Sequence, residues 1–216
     1  AHFRDLKYEM VQKINDCAWD GDWYTRAFDD DGNPVGVKGE TFHWINMNTQ
    51  TWAVIGEAAP PDRAARALES MHQHLNTPEG VALMHLPYNG TNERVRGTST
   101  YPPGSKENGG IFCHANTWAM VAAAMMGWNE RAYQYYQQVM PLTKENYDHY
   151  QVEPYVYCQN VCGPTHPYFG RGRNAWLTGT AAWTYVAGTQ YILGIRPTFD
   201  GLMVQPIIPR DWKGFS

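Results

Sequence analysis

Residues 111–140 read IFCHANTWAMVAAAMMGWNERAYQYYQQVM. The first part, Ile111 to Trp128, carries no Asp, Glu, Lys or Arg and predicts a buried helix. Asn129 to Met140 predicts an amphipathic partner, with Ala132, Tyr135, Tyr136 and Val139 at helical spacing. Those two tyrosines are read as core. A buried helix followed at once by an amphipathic one is a helix pair, and the pattern recurs in both directions. Upstream, Phe3 to Asn15 places Leu6, Met10, Val11 and Ile14 on one helical face. Thr49 to Ala58 and Arg63 to Leu75 form another pair, split by Pro60-Pro61-Asp62, which stops one helix and starts the next. Downstream, Asn174 to Leu193 predicts a further long helix.

The connections are unequal. Tyr24 to Val37 predicts a hairpin or a long turn around Asp29-Asp30-Asp31-Gly32-Asn33-Pro34, a run dense in turn formers. Pro87 to Asn108 is too long for an inert connector and predicts a structured, functional loop. Gln151 to Arg173 is irregular. After Ile195 the pattern changes to a turn at Pro197-Thr198-Phe199-Asp200-Gly201 and a strand over Leu202 to Ile208. Repeated helix pairs with long polar loops suggest an α/α toroid whose loops at one end build the site. A lone strand cannot bury its face, so both ends of the chain read as the middle of something larger.

Composition narrows the function. The chain has 216 residues, 43% hydrophobic and 18% charged, which describes a globular protein. A formal net charge of -4 offers no basic field for nucleic acid or anionic membrane. No apolar run is long enough to span a bilayer, and no leader-like segment opens the chain, so the expectation is cytoplasmic. Aromatic residues reach 14%, with 9 Trp and 14 Tyr. Their flat faces and polar edges suit sugar rings, and equally a large aromatic core. The four cysteines, Cys17, Cys113, Cys158 and Cys162, form no CxxC pair and read as buried free thiols in a reducing compartment. A bridge or metal pair at Cys158 and Cys162 is the minor alternative. The sequon Asn89-Gly90-Thr91 carries little weight.

Four segments hold residues suited to sugar and anion chemistry. Trp19-Asp20-Gly21-Asp22-Trp23 sets two carboxylates and two indoles around a glycine. Glycosidic cleavage needs a carboxylic acid for the leaving oxygen and aromatic surface for the ring. Read alone, the pentapeptide also fits an acidic turn between core aromatics. Lys106 to His114 leads from glycines into a helix, flanked by Glu107 and His114; helix starts of this kind bind anions, but read alone the segment fits better a glycine-rich helix start with His114 a satisfied core histidine. Glu153 to Asn160 supplies a carboxylate, two phenols and the amide of Gln159, or else a buried irregular strand. Trp176-Leu177-Thr178-Gly179-Thr180-Ala181 places a hydroxyl and free N–H groups at a helix start, or else an ordinary N-cap by Thr178.

In this order, and continued by Tyr191 to Pro197 and Asp200-Gly201-Leu202, the four segments resemble the inverting disaccharide phosphorylases of glycoside hydrolase family 94, typified by cellobiose phosphorylase. The resemblance runs along nearly the whole chain. Asn108 to Trp118, Glu153 to Asn160 and Trp176 to Trp183 are its most specific stretches.

The resemblance implies a mainly α fold: residues 1–194 as the later part of an (α/α)6 barrel, and 195–216 as the first strands of a C-terminal β-sandwich domain. It implies reversible, inverting phosphorolysis of a β-glucosidic disaccharide, cellobiose by default, to α-glucose 1-phosphate and a free sugar. Asp20 resembles the general acid, since the family's more regular carboxylate directly precedes glycine, and Asp22 is the rival. Trp19, Glu107 and Gln159 resemble sugar-contacting positions, and His114, Thr178 and Gly179 the phosphate site. No metal or cofactor is implied, only inorganic phosphate as co-substrate. The partners implied are a disaccharide or oligosaccharide, a preceding part of the same protein that completes the site, and a second copy in a homodimer.

Physics agrees with the assignment. An inverting hydrolase needs an acid and a second carboxylate to activate water; a phosphorylase replaces the second by an anion pocket. Two other readings compete: an α/α-toroid glycoside hydrolase, with Glu107 or Glu153 as the second carboxylate, and a non-catalytic sugar-binding fragment.

Overall fold

The computed structural model describes residues 2–216. In chain order the helices are α1 (His2–Cys17), α2 (Met47–Ile55), α3 (Pro61–Leu75), the one-turn α4 (Arg96–Ser99), α5 (Cys113–Met125), α6 (Asn129–Val139), the one-turn α7 (Tyr147–Tyr150) and α8 (Thr180–Val186). A π-helix over Ala187–Ile192 prolongs α8.

The apolar stretch that opens residues 111–140 becomes the centre of the molecule. Ten of the thirteen residues of α5 are buried. It packs against α2, α6, α8 and the π-helical segment. Its alanines, among them Ala115, Ala119, Ala122 and Ala123, let neighbouring helices approach closely, and Met120 fills the space between. Each such fully buried large side chain contributes about 1.5–3 kcal/mol. The amphipathic helices cover this layer from outside. In α3, Ala64, Ala67, Leu68, Met71 and Leu75 form the buried stripe, and Pro61 sits at the first turn, where no N–H is needed. In α6, Tyr135 is fully buried and Tyr136 packs half-buried against the same core, as expected.

Short strand pairs fix the loops. β1 (Ala27–Phe28) and β2 (Pro34–Val35) form the hairpin, not the long turn. β3 (Ile45–Asn46) leads directly into α2; β4 (Asn76–Thr77) pairs with β5 (Gly80–Val81); and β6 (Met84–His85) returns to pair with β3. β7 (Ile111–Phe112) leads directly into α5 and pairs with β8 (Cys158–Val161), which pairs with β9 (Gly172–Ala175) ahead of α8. The Leu83 N–H donates to Gly110 O at 2.9 Å, tying the first group to the second. The starts of α2, α5 and α8 therefore share one end of the molecule. The segments preceding them, 18–46, 76–112 and 140–179, converge there.

Four expectations change in detail. The last long helix starts at Thr180, not at Asn174, because residues 172–175 join a sheet and Asn174 and Trp176 take φ of 56° and 68°. The final strand is short: β10 (Ile195–Thr198) pairs with β11 (Gly201–Val204), and Pro206 and Pro209 lack the N–H groups to extend the ladder. The apolar face of α1 stays open, with Leu6 and Met10 exposed and only Val11 and Ile14 half-buried. Cys17 is exposed, while Cys113, Cys158 and Cys162 are buried, and all four are free thiols. Among the described residues no helix is long and apolar enough to cross a membrane.

Candidate active site

The Trp-Asp-Gly-Asp-Trp segment closes a tight turn behind α1. The Asp20 N–H donates to Trp23 O at 2.9 Å, and Trp19 bridges to Tyr24. Gly21 at the centre has φ 87°, a conformation that favours glycine, and it sends the two carboxylates apart. Gln50 of α2, fully buried, anchors the turn: its amide donates to Tyr24 O and its oxygen accepts the Tyr24 N–H at 2.8 Å.

The two aspartates then meet different parts of Lys38. Asp20 Oδ2 accepts the Lys38 backbone N–H at 2.6 Å. Asp22 pairs with the Lys38 ammonium and, through Oδ1, with Arg66 Nε at 2.6 Å. Lys38 first, and Arg66 second, hold the Asp22 carboxyl below its usual range. Asp22 is thus kept ionised and bound, whereas Asp20 has one oxygen held and the other free of any bond within the described residues. The Trp19 ring meets Tyr24 edge-on at 5.0 Å with the Arg63 guanidinium above it, and it is half-buried.

A second cluster forms where α5 and α8 start. His114 lies in the first turn of α5, and its ring rests against Gly179, where an added Cβ would stand 3.0 Å from Cε1. The missing side chain lets the α8 start come up to the imidazole. Thr178 adjoins it; its hydroxyl accepts the Thr180 N–H at 3.1 Å and meets the Thr180 hydroxyl at 2.5 Å. His114 Nε2 is buried with no hydrogen-bond partner among the described residues. Trp118 and Trp183 flank the ring at 5.1 and 6.0 Å, and burial pushes its pKa down, so the imidazole is neutral near pH 7. The three residues expected at the phosphate site are therefore brought together. Half-capped N–H groups, a hydroxyl and an imidazole at a helix start form a cradle suited to an anion.

Glu107 and Gln159 sit apart from these contacts. Glu107 is exposed on the turn closed by Ser105 and Asn108. Gln159 lies on β8, and its Oε1 is buried without a partner. Among the described residues no hydrogen bond or ring contact joins Asp20, Glu107 or Gln159 to the His114 cluster.

Sequence reasoning missed what holds the loops in place. His43, Asn46 and Tyr88 staple segment 18–46 to the loop after β6. Asn46 Oδ1 accepts the Asn48 N–H, so its amide faces His43 and donates to Nε2 at 3.0 Å. The imidazole proton then belongs on Nδ1, toward Tyr88 Oη at 3.3 Å. Burial drives the His43 pKa down to about 4. A lone histidine gives no such signal in a sequence; the hint was only its place two residues before a strand.

Comparison with known proteins gives the family. Residues 2–194 match the catalytic domain of the glycosyl hydrolase 94 superfamily. Solabiose phosphorylase from Paenibacillus borealis is 36% identical over 98% of this chain and 28% of its own length. N,N'-diacetylchitobiose phosphorylase from Vibrio proteolyticus is 36% identical over 96% of this chain and 27% of its own. A cyclic beta-(1,2)-glucan synthase from Rhizobium meliloti is 34% identical over the whole chain but 8% of its own length. The chain thus spans little more than a quarter of the phosphorylases it matches. With a match over residues 2–194, the chain belongs to the catalytic domain of the glycosyl hydrolase 94 superfamily, whose curated relatives include disaccharide phosphorylases.

Proposed function

We propose that this chain forms the later part of the catalytic barrel of an inverting disaccharide phosphorylase, with Asp20 as general acid and inorganic phosphate as the nucleophile. The meeting of His114, Thr178 and Gly179 at the paired starts of α5 and α8 carries the reading. A hydrolase has no use for an anion cradle there, because its nucleophile is water.

In the proposed cycle, Asp20 gives its proton to the glycosidic oxygen as that bond breaks. Phosphate oxygen, held by the His114 imidazole and the N–H groups near Gly179, attacks the anomeric carbon from the opposite face. The β-linkage becomes an α-sugar 1-phosphate, and the free sugar leaves with the proton. The Lys38 N–H on Asp20 Oδ2 favours Oδ1 as the proton carrier. Trp19, Glu107 and Gln159 contact sugar, and no metal or further cofactor is invoked. Residues from a preceding part of the protein complete the (α/α)6 barrel and the site, residues 195–216 begin a C-terminal β domain, and the protein acts in the cytoplasm as a homodimer. Cellobiose is the first substrate to try. Relatives named for solabiose and N,N'-diacetylchitobiose make those the next two.

The test is the protein of which this chain is part, assayed with each disaccharide with and without phosphate. Phosphate-dependent cleavage with an α-configured sugar 1-phosphate by NMR is expected. Equal sugar release without phosphate would overturn the reading in favour of a hydrolase.

A further inference from the structure

Two buried thiols stand outside the chemistry above. Cys113 opens α5, one residue before His114, and Cys158 opens β8, one residue before Gln159. Both are unbridged and almost wholly shielded, at 1% and 0% exposure. The β7–β8 ladder, in which Phe112 faces Asn160, brings their sulfurs to 3.8 Å. They lie in an apolar cluster with Ala82, Ile111, Val152 and Val161, and one side-chain hydroxyl reaches in. Tyr150 Oη lies 3.5 Å from Cys158 Sγ, and the Lys144 ammonium, paired with Glu79, stands 5.5 Å from the Tyr150 ring centre.

A thiol becomes reactive when donors and a nearby cation favour its thiolate. Here the Cys113 thiol and the Tyr150 hydroxyl both face the Cys158 sulfur. The Cys113 hydrogen bond first, against opposing burial, and then Tyr150 hold the Cys158 thiol below its usual range, while Cys113 is pushed up and stays protonated. A cavity of about 530 Å³, lined among others by Glu79, Lys144, His149, Tyr150 and Gly170, reaches Tyr150 from solvent. A small oxidant has a route to within one side chain of the sulfur.

We propose that Cys113 and Cys158 are a modification site, converted reversibly to a disulfide by a peroxide. The Cys158 thiolate attacks one oxygen of hydrogen peroxide, and the O–O bond breaks. Cys158 becomes a sulfenic acid, and the departing hydroxide takes up the proton that Cys158 released, leaving as water. The Cys113 sulfur then attacks the sulfenic sulfur; the S–O bond breaks, and the Cys113 proton leaves with that hydroxyl as a second water. Two thiols lose two electrons to one peroxide, and a dithiol reductant reverses the change. Closure shortens the sulfur separation to about 2.05 Å, drawing β8 toward the start of α5. On the phosphorylase reading this shifts Gln159 against His114 and lowers phosphate affinity; only that consequence rests on the reading.

The experiment uses the protein of which this chain is part, with the exposed Cys17 replaced, Cys17→Ser. It is treated with hydrogen peroxide near equimolar, quenched, unfolded, alkylated and mapped by mass spectrometry. The expected result is the loss of two hydrogens, a peptide linking Cys113 to Cys158, reversal by dithiothreitol, and an alkylatable Cys162. Cys113→Ser and Cys158→Ser should abolish the link. The proposal fails if Cys113 and Cys158 emerge fully alkylated while an unstructured cysteine peptide in the same tube is oxidised, or if either links to Cys162. Mapping of the chain with both cysteines intact decides the matter even where a serine variant does not fold. No sugar or phosphate enters this readout, so it stands or falls independently of the phosphorolysis assay.

Discussion

At the scale of single residues the sharpest question is which aspartate gives the proton. Asp22 is bound by Lys38 and Arg66, and that pairing holds it ionised, which is the wrong state for an acid. Asp20→Asn in the complete protein should lower phosphorolysis by about 10²–10⁴-fold, the usual worth of a general acid. Asp22→Asn should cost less than about tenfold, and under about 1 kcal/mol of stability, because Lys38 and Arg66 are largely exposed. Asp22→Asn abolishing activity while Asp20→Asn keeps it would reverse the assignment. A second residue-scale prediction concerns His114. Replacing it by Ala should raise KM for phosphate by about 10–100-fold, the loss of one hydrogen bond of about 1.5–3 kcal/mol to a charged group, and leave sugar KM within about twofold. An unchanged phosphate KM would remove it from the anion cradle. Carboxylates set between indoles made the Trp19 to Trp23 segment a candidate, and the choice of Asp20 within it rests on the family resemblance. The clamp on Asp20 was not legible, since a backbone N–H from Lys38, eighteen residues along, carries no side-chain signature.

At the scale of elements, the helices and the local β1–β2 hairpin were legible, and the pairing of distant strands was not. Period in α3 and α6, and the apolar run of α5, are written within one window of sequence. The β7–β8 pairing joins pieces of two and four residues from segments nearly fifty positions apart, and no local pattern encodes it. The same holds for the His43–Tyr88 staple between two loops. It makes stability pH-dependent. In the unfolded chain His43 takes up a proton near 6.5, but in the fold only near 4. The unfolded state therefore binds more protons in between, so stability is fully present above pH 6.5 and falls as the pH drops toward 4. The difference amounts to roughly 3 kcal/mol at the low end. Urea midpoints measured from pH 7 to 4 should show this loss, and His43→Gln should flatten most of it. An equal slope in the variant would place the proton uptake elsewhere, on half-exposed histidines such as His85 or His72.

At the scale of the whole molecule, the helix pairs α2/α3 and α5/α6, with α8 beside α5, present three loop segments at one end. Other faces carry apolar surface. Phe3 and Met10 on α1 are 86% and 61% exposed, and Trp176, Leu177 and Tyr185 around α8 are 71%, 66% and 71%. Apolar groups this exposed, gathered on particular elements, mark surfaces that contact something in a working protein. The chain also spans little more than a quarter of the phosphorylases it matches. We therefore expect the 216-residue polypeptide, prepared alone, to bind a hydrophobic dye, to associate at micromolar concentration, and to show no phosphorolysis of any of the three disaccharides. Adding a polypeptide that covers the preceding region of a family relative should suppress dye binding and restore activity together, because one contact surface completes both the core and the site. Phosphorolysis by the chain alone, as a monomer in sedimentation, would mean that Asp20 and the His114 cluster suffice without it.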